Sequence, residues 1–183
     1  MNKRHIKFLR EEEIRQIIDA IPVDGLKNRR DRAILEVLFS TGLRINELLQ
    51  LKKNQILKGD LKNTLELSIC GKGDWTRTIY LSVTALQSVA RYFAGRSDDD
   101  ERAFPTTARS VQRMVKVRAK EAGIDKFISP HVFRHSFGTY ILNKTGNIRL
   151  CQELLGHRSI SSTEIYTHIT SPQLMSAHKK LFK

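Results

Sequence analysis

Strict alternation of apolar and polar side chains occupies one short part of this 183-residue chain. Leu65, Leu67 and Ile69 alternate with polar residues, and the same period returns over residues 77–81. This is the pattern of half-buried β-strands. The Gly-Lys-Gly-Asp segment between the two runs is typical of a turn. The pattern predicts a β-hairpin with Lys72 at or near its tip.

The rest of the chain carries apolar residues at helical spacing. Ser129-Pro130 and Asn147 are typical helix starts, whereas Gly42 and Gly156 are typical helix ends. We expect a mainly α fold with a small antiparallel hairpin, an α+β class, and an exposed polar loop at 95–101. The predicted helices cover residues 11–20, 29–40, 43–51, 82–93, 107–122, a segment from 129, and a segment from 147 to 156.

The composition excludes several classes of protein. Cys70 and Cys151 are far apart and no C-x-x-C pair is present, which excludes a disulfide scaffold or zinc ribbon. The first residues are charged and lack the apolar stretch of a signal peptide. No apolar run approaches the length of a membrane span. We therefore expect a cytoplasmic protein without a membrane partner.

Basic residues dominate the charge, with 32 Lys and Arg against 19 Asp and Glu and a formal net charge of +13. Such an excess favours a polyanion partner, and nucleic acid first, although charge alone does not separate DNA, RNA and anionic membrane. One predicted helix carries four basic residues at i, i+4, i+7 and i+11, here named the basic stripe: Arg109, Arg113, Lys116 and Lys120. The stripe is either an ordinary solvated face or, as we favour, a surface that contacts DNA.

The segment Ser129 to His135 combines a helix start with two chemically useful side chains. His131 and Arg134 stand three residues apart, on one face of the first turns. The free N–H groups at a helix N-terminus favour phosphate binding. The Arg134 guanidinium can form two parallel hydrogen bonds with a phosphate, and His131 can accept or donate a proton near neutral pH. The alternative is a capped helix with a surface arginine.

His131 and His135 are also spaced like two zinc ligands on one helix. Val132 occupies the position of the glutamate in H-E-x-x-H, and no further cluster of ligands is visible in the sequence. We therefore expect no metal site.

Three further segments carry candidate functional side chains. Arg44 follows the turn at Gly42, and Glu47 is placed to orient it or to form a surface salt bridge with it. His157 stands just beyond the helix end at Gly156. Ser161 to Glu164 forms a capping box, which predicts a short helix carrying Tyr166.

Taken together, the segments TGLRINEL, GKG, HVFRHSFGTY, LLGHRSI and TEIYTHI resemble, in this order, the tyrosine recombinase/integrase family. That family includes phage-type integrases and Xer recombinases. The resemblance covers nearly the whole chain and implies the fold of that family's catalytic domain. It also implies six active-site positions, all matched here: Arg44, Lys72, His131, Arg134, His157 and Tyr166.

The resemblance implies site-specific DNA recombination by strand cleavage and rejoining. Tyr166 would attack a phosphodiester, forming a 3′-phosphotyrosyl bond and releasing a 5′-hydroxyl. A phenol with a pKa of about 10 is a weak nucleophile when neutral. Arg44 and Arg134 would stabilise the phenolate and the negative charge of the phosphorane.

The remaining three positions would handle protons and the phosphate. By resemblance, Lys72 protonates the leaving 5′-oxygen, His131 acts as general acid and base, and His157 hydrogen-bonds the phosphate. Because the two arginines take the place of a metal ion, no Mg²⁺, ATP or other cofactor is expected.

The chain also departs from the family pattern. About ten residues precede the catalytic motifs, so we expect residues 1–183 to form one catalytic domain without the family's N-terminal core-binding domain. It would be either an excised domain or a single-domain member. Trp75 replaces a common lysine and would either stack on a sugar or base or pack on the hairpin. We count it and Arg77 among the expected DNA contacts.

Double-stranded DNA is the partner that the resemblance implies. A homotetramer is expected in the synaptic complex, with a monomer or weak oligomer in free solution, in the cytoplasm or nucleoid of a prokaryote. The tail at 171–183 predicts a helix that is exchanged between protomers or packs on its own domain. Accessory DNA-bending proteins are further candidate partners.

Two alternative functions remain. One is DNA relaxation of the type IB topoisomerase kind, which uses similar chemistry. The other is a DNA-binding regulator that has kept the fold but lost catalysis. The order of the motifs favours the recombinase over the first, and the presence of all six positions favours it over the second.

Overall fold

The computed structural model describes residues 8–70 and 76–156. These ranges contain, in chain order, α1 (Glu11–Asp19), α2 (Leu26–Thr41), α3 (Ile45–Gln50), α4 (Lys53–Ile56), β1 (Leu65–Cys70), β2 (Thr76–Leu81), α5 (Val83–Phe93), α6 (Ala108–Glu121), α7 (Pro130–Thr145) and α8 (Ile148–Leu155). The two strands pair antiparallel, from Leu65 opposite Leu81 to Cys70 opposite Thr76. The predicted α+β class and both hairpin strands are confirmed.

Side chains that accept backbone hydrogen bonds fix the starts of the helices near the candidate site. The Ser129 hydroxyl accepts from the N–H of Val132 at 3.4 Å, and the Asn147 side chain accepts from the N–H of Leu150 at 3.0 Å. Such caps satisfy N–H groups that have no partner inside the helix. At the other end, α2, α7 and α8 each stop at a glycine with positive φ. Local sequence therefore sets where these helices begin and end.

The core is built around α2, which packs against α1, α5, α7 and β2. Its apolar residues at 33–38 are buried on several sides of the helix. Two carboxylates are buried with them and are neutralised from other helices, Asp31 by Arg118 at 2.8 Å and Glu36 by Arg15 at 3.0 Å. Within the described ranges, no helix is long and apolar enough to cross a membrane.

Two features were not predicted from the sequence. The first is α4, a single turn that follows α3 after a short break. The second is an isolated antiparallel β-bridge between Lys52 and Arg102, which joins the end of the polar loop to the residue before α4. Within that loop the Arg96 guanidinium donates to the carbonyls of Arg102 and Ala103 at 2.9 and 3.1 Å. The loop is polar as predicted, but an arginine side chain organises it.

Candidate active site

Arg134 joins the ends of two helices from its position in the second turn of α7. The residue is 3 % exposed, so the alternative of a surface arginine is wrong. Its Nη1 donates to the carbonyl of Gly42 at 2.6 Å, and its Nη2 donates to the carbonyl of Leu155 at 2.7 Å. Carbonyls at helix C-termini lack intrahelical partners and carry partial negative charge. The guanidinium is therefore held where two helix ends meet.

These contacts bring together segments that are distant in the sequence. Gly42 stands two residues before Arg44, and Leu155 stands two residues before His157. The Arg134 contacts span 92 and 21 residues of the chain. Parts of three predicted motifs therefore meet at one side chain.

Arg44 is held at the start of α3 by a carboxylate three residues further on. Its backbone N–H donates to Oε2 of Glu47 at 2.8 Å, and its Nη1 donates to Oε1 at 2.9 Å. The Arg44 side chain is 50 % exposed, whereas that of Glu47 is 7 % exposed. The prediction that Glu47 orients Arg44 is confirmed, and Arg44 presents part of its guanidinium to solvent.

The charges around Glu47 keep this carboxyl ionised. Burial raises the pKa of Glu47, but the backbone N–H of Arg44 and the guanidinium groups of Arg77 and Arg44 more than offset burial. The pKa of Glu47 therefore lies below its ordinary value of 4.5. The group stays negatively charged and can hold both arginines in place.

Arg77 is buried, which corrects its assignment as a DNA contact. Its side chain is 3 % exposed. Nη2 donates to Oε2 of Glu47 at 3.0 Å, and Nη1 donates to the carbonyl of Leu154 at 2.6 Å. The alternation of side chains along β2 could have predicted this burial, because Arg77 shares the buried face of the strand with Ile79 and Leu81. Sequence reasoning missed this role and the second partner of Glu47.

His131 lies in the first turn of α7 with its side chain exposed. It precedes Arg134 by three residues and so lies on the same helix face. His135 is 3 % exposed, and its ring meets the edge of Phe8 with 6.4 Å between ring centroids. In the described part of the chain, no three His, Cys, Asp or Glu side chains are grouped to hold a metal ion.

Several predicted site residues fall outside the described residues. They are Lys72, Trp75, His157, Tyr166, the capping box at 161–164 and the tail at 171–183. The described chain leads up to three of them, Lys72, Trp75 and His157. The strands β1 and β2 are paired on either side of 71–75, and α8 ends at Gly156 in the left-handed conformation.

The basic stripe is exposed along its whole length on α6. The opposite face of the helix, with Val111 and Val115, is buried in the core. None of the four stripe residues forms an ion pair with a carboxylate in residues 8–70 and 76–156. Lys116 lies over the ring of Phe127, with Nζ 5.1 Å from the centroid. The stripe is a solvent-facing, positively charged surface without a carboxylate partner among the described residues.

A family model described as "Phage integrase family" matches residues 7–172 of the chain. The tyrosine recombinase XerA of Pyrococcus furiosus is 37 % identical over 180 residues, which cover 93 % of this chain and 60 % of XerA. The tyrosine recombinase XerD of Pseudomonas putida is 34 % identical over 184 residues, with the same 60 % of its length covered. The chain thus spans 60 % of the length of these two relatives.

The fold is also similar to that of a solved structure. The crystal structure of XerA recombinase superposes with a TM-score of 0.79 at 30 % identity, covering 97 % of this chain and 65 % of that one. This likeness confirms the predicted fold.

Proposed function

Because the chain belongs to the phage integrase family, we propose that it acts as a tyrosine recombinase that cuts and rejoins double-stranded DNA at specific sites. The observation that supports this most is the pair of hydrogen bonds from Arg134 to the carbonyls of Gly42 and Leu155. They draw together the segments that lead to Arg44 and to His157. Two guanidinium groups and a histidine would then surround one phosphate.

Arg44 and Arg134 would stabilise the transition state by their charge. Attack on a phosphodiester gives a phosphorane with more negative charge than the ground state, and fixed guanidinium donors favour such a species. Glu47 and the two helix ends hold the arginines before DNA binds, so little reorganisation is needed. The half-exposed Arg44 presents its guanidinium to DNA that approaches from solvent.

The covalent step would exchange one phosphodiester for another. The Tyr166 Oη attacks phosphorus, the bond from phosphorus to O5′ breaks, and the 3′-phosphate remains on the enzyme. His131 takes the phenol proton, Lys72 gives a proton to O5′, and His157 hydrogen-bonds the phosphate. The reverse attack by a 5′-hydroxyl rejoins the strand without a metal ion or nucleotide cofactor.

The basic stripe would bind the duplex beside the cut. Its four side chains are exposed and have no carboxylate partner in the described residues, so they can contact phosphates without breaking ion pairs. Trp75 would stack on a sugar or base near the hairpin. Arg77 has no place in this surface because it is buried.

Recombination between two duplexes needs one nucleophile for each of four strands. We therefore assign the active assembly as a homotetramer on DNA, with the tail at 171–183 exchanged between protomers and a monomer or weak oligomer in free solution. Accessory DNA-bending proteins would help to form it. The matching relatives include proteins of Pyrococcus furiosus and Pseudomonas putida, both prokaryotes, and the reaction would take place in a prokaryotic cytoplasm.

A trapping experiment tests the reaction. The chain is incubated with a pool of nicked duplexes of randomised sequence, in which the short cleaved strand diffuses away and leaves the covalent adduct. We expect a detergent-resistant adduct with the wild type and with Tyr80→Phe, a control at a half-exposed tyrosine, and none with Tyr166→Phe. An adduct that persists in Tyr166→Phe, or tight binding without any adduct, would contradict the proposal. Relaxation of supercoiled plasmid without recombinants would indicate the topoisomerase function.

The DNA surface is tested by the salt dependence of binding. Replacing the four stripe residues with glutamine should flatten the plot of log affinity against log salt by roughly 0.9 for each lost phosphate contact. Arg118→Met serves as the control, because it removes one positive charge from the buried side of the same helix. Equal slopes for the stripe variant and the wild type would refute the assignment.

A further inference from the structure

Arg77 is a buried charge to which the proposed reaction gives no role. The residue is 6 % exposed and lies on β2. Its guanidinium donates to Oε2 of Glu47 on α3 at 3.0 Å and to the carbonyl of Leu154 on α8 at 2.6 Å. These partners stand 30 and 77 residues away in the sequence. One side chain therefore connects a strand to two separate helices.

On one side, Arg77 and Arg44 share the same carboxylate. Oε1 of Glu47 accepts from Nη1 of Arg44 at 2.9 Å, while Oε2 accepts from the backbone N–H of Arg44 at 2.8 Å and from Arg77. The orientation of this carboxylate therefore depends on both arginines. If Arg77 is lost, Glu47 can turn and the Arg44 guanidinium turns with it.

On the other side, Arg77 and Arg134 hold neighbouring carbonyls at the end of α8. Arg77 binds the carbonyl of Leu154, and Arg134 binds that of Leu155 at 2.7 Å. The helix stops at Gly156, and the next residue in the sequence is His157. The two guanidinium groups thus fix the turn from which the chain continues to the remaining motifs.

Stability alone does not account for this arrangement. The Nε of Arg77 is buried and has no hydrogen-bond partner among the described residues. Burying a guanidinium removes it from water, and a buried ion pair is often no more stabilising than apolar side chains of similar volume. A costly polar group in the interior calls for another explanation.

We propose that Arg77 is a positioning residue that couples the two sides of the site, holding Arg44 through Glu47 and the end of α8 through Leu154. This inference rests on the proposed function, in which both sides act on one phosphate. Arg77 does not touch the reacting atoms. It keeps the guanidinium of Arg44 in register with the C-terminal end of α8, which Arg134 also binds.

The test compares three variants. Arg77→Met keeps a side chain of similar length but removes the positive charge. Arg77→Lys keeps the charge, but a single ammonium cannot replace the planar guanidinium that binds two partners at once. Arg118→Met is the matched control, since Arg118 is 8 % exposed and binds Asp31 across α6 and α2 at 2.8 Å. Each variant is measured for DNA affinity, unfolding free energy and single-turnover rate of adduct formation on a nicked duplex recovered from the randomised pool.

We expect Arg77→Met to slow adduct formation on the order of 100-fold, as misplacement of a reacting group by about 1 Å can do. DNA affinity should stay within about 2-fold, and Arg118→Met should keep the wild-type rate. Compared with Arg77→Met, Arg77→Lys should recover unfolding free energy but not the rate of adduct formation. On a duplex with a neutral methylphosphonate at the cleavage site, the rate loss caused by Arg77→Met should be smaller, because the transition state then carries less negative charge to be stabilised.

Equal rate losses in Arg77→Met and Arg118→Met, or an equal defect on both substrates, would overturn the inference. A DNA-free measurement separates it from the proposed function. The side-chain Nε–Hε NMR signal of Arg44 should move in Arg77→Met and stay in place in Arg118→Met. If the wild type forms no adduct, the proposed function fails, and an unmoved Arg44 signal would still refute the coupling by itself.

Discussion

Replacing Gly42 with alanine perturbs the point where α2, α7 and α8 meet. Gly42 ends α2 with a φ of +61°, and its carbonyl accepts the hydrogen bond from Arg134. A Cβ at this position would overlap Cδ1 of Phe137 and lie 3.1 Å from Cδ2 of Leu155. The substitution therefore meets two separate penalties, one in the backbone and one in packing.

The expected loss of stability follows from these two penalties. A non-glycine residue in the left-handed region costs roughly 1–2 kcal/mol. Overpacking against the Phe137 ring, which is 6 % exposed and enclosed by its neighbours, adds about 1–3 kcal/mol. We expect Gly42→Ala to lose about 2–5 kcal/mol, a large part of the roughly 5–15 kcal/mol typical of a folded domain.

Gly146 provides a matched control. It ends α7 with a φ of +64°, and a Cβ there would meet no atom within 4 Å. Gly146→Ala therefore meets only the backbone penalty of roughly 1–2 kcal/mol. The unfolding free energies of both variants are measured by urea titration with circular dichroism.

The difference between the two variants isolates the contact with Phe137. If Gly42→Ala and Gly146→Ala lose the same stability within about 0.5 kcal/mol, the packing argument is refuted. A second readout concerns chemistry. Phe137 follows Arg134 by three residues on the same helix face, so a displaced ring should move the guanidinium and slow adduct formation in Gly42→Ala alone.

Three further predictions concern pH, thiols and metal. Because the folded state lowers the pKa of Glu47, its contribution to stability is complete above the ordinary value of 4.5 and is lost as pH falls below it. Urea titrations of Glu47→Gln should therefore depend less on pH in that range than those of the wild type. Cys70 is exposed, whereas Cys151 is buried, and burial raises the pKa of the Cys151 thiol to about 11. Mass spectrometry after iodoacetamide treatment at neutral pH should therefore show one alkylated cysteine in the native chain and two in urea. Adduct formation on nicked DNA should proceed at the same rate in EDTA, and its loss there would contradict the metal-free mechanism.

Local sequence predicted the secondary structure well where it carried strong signals. The cap residues Ser129 and Asn147 and the helix end at Gly42 lie where they were expected. The pairing of Glu47 with Arg44 was also accessible, because three residues on a helix place side chains side by side. The single turn α4 was missed because four residues are too few for a periodic pattern.

The contacts that assemble the site could not be predicted in the same way. Periodicity identifies which face of an element is buried, but not which distant carbonyl a buried arginine will meet. The bonds from Arg134 to Gly42 and from Arg77 to Leu154 join positions 92 and 77 residues apart. The alternation of side chains along β2 was enough to predict that Arg77 points into the interior. Its partners became visible only in three dimensions.

The net charge of +13 overstates the positive charge that can meet DNA. The side chains of Arg77, Arg96 and Arg118 are 3 %, 0 % and 9 % exposed, and each donates to a carboxylate of the same chain. The basic stripe, in contrast, is exposed and forms no ion pair with a carboxylate in the part of the chain that the structure describes. Counterion release depends on contacts with phosphate and not on total charge. The salt dependence of DNA binding should therefore follow the stripe, while changes at the buried arginines should alter stability, and among these three only a change at Arg77 should also alter the rate.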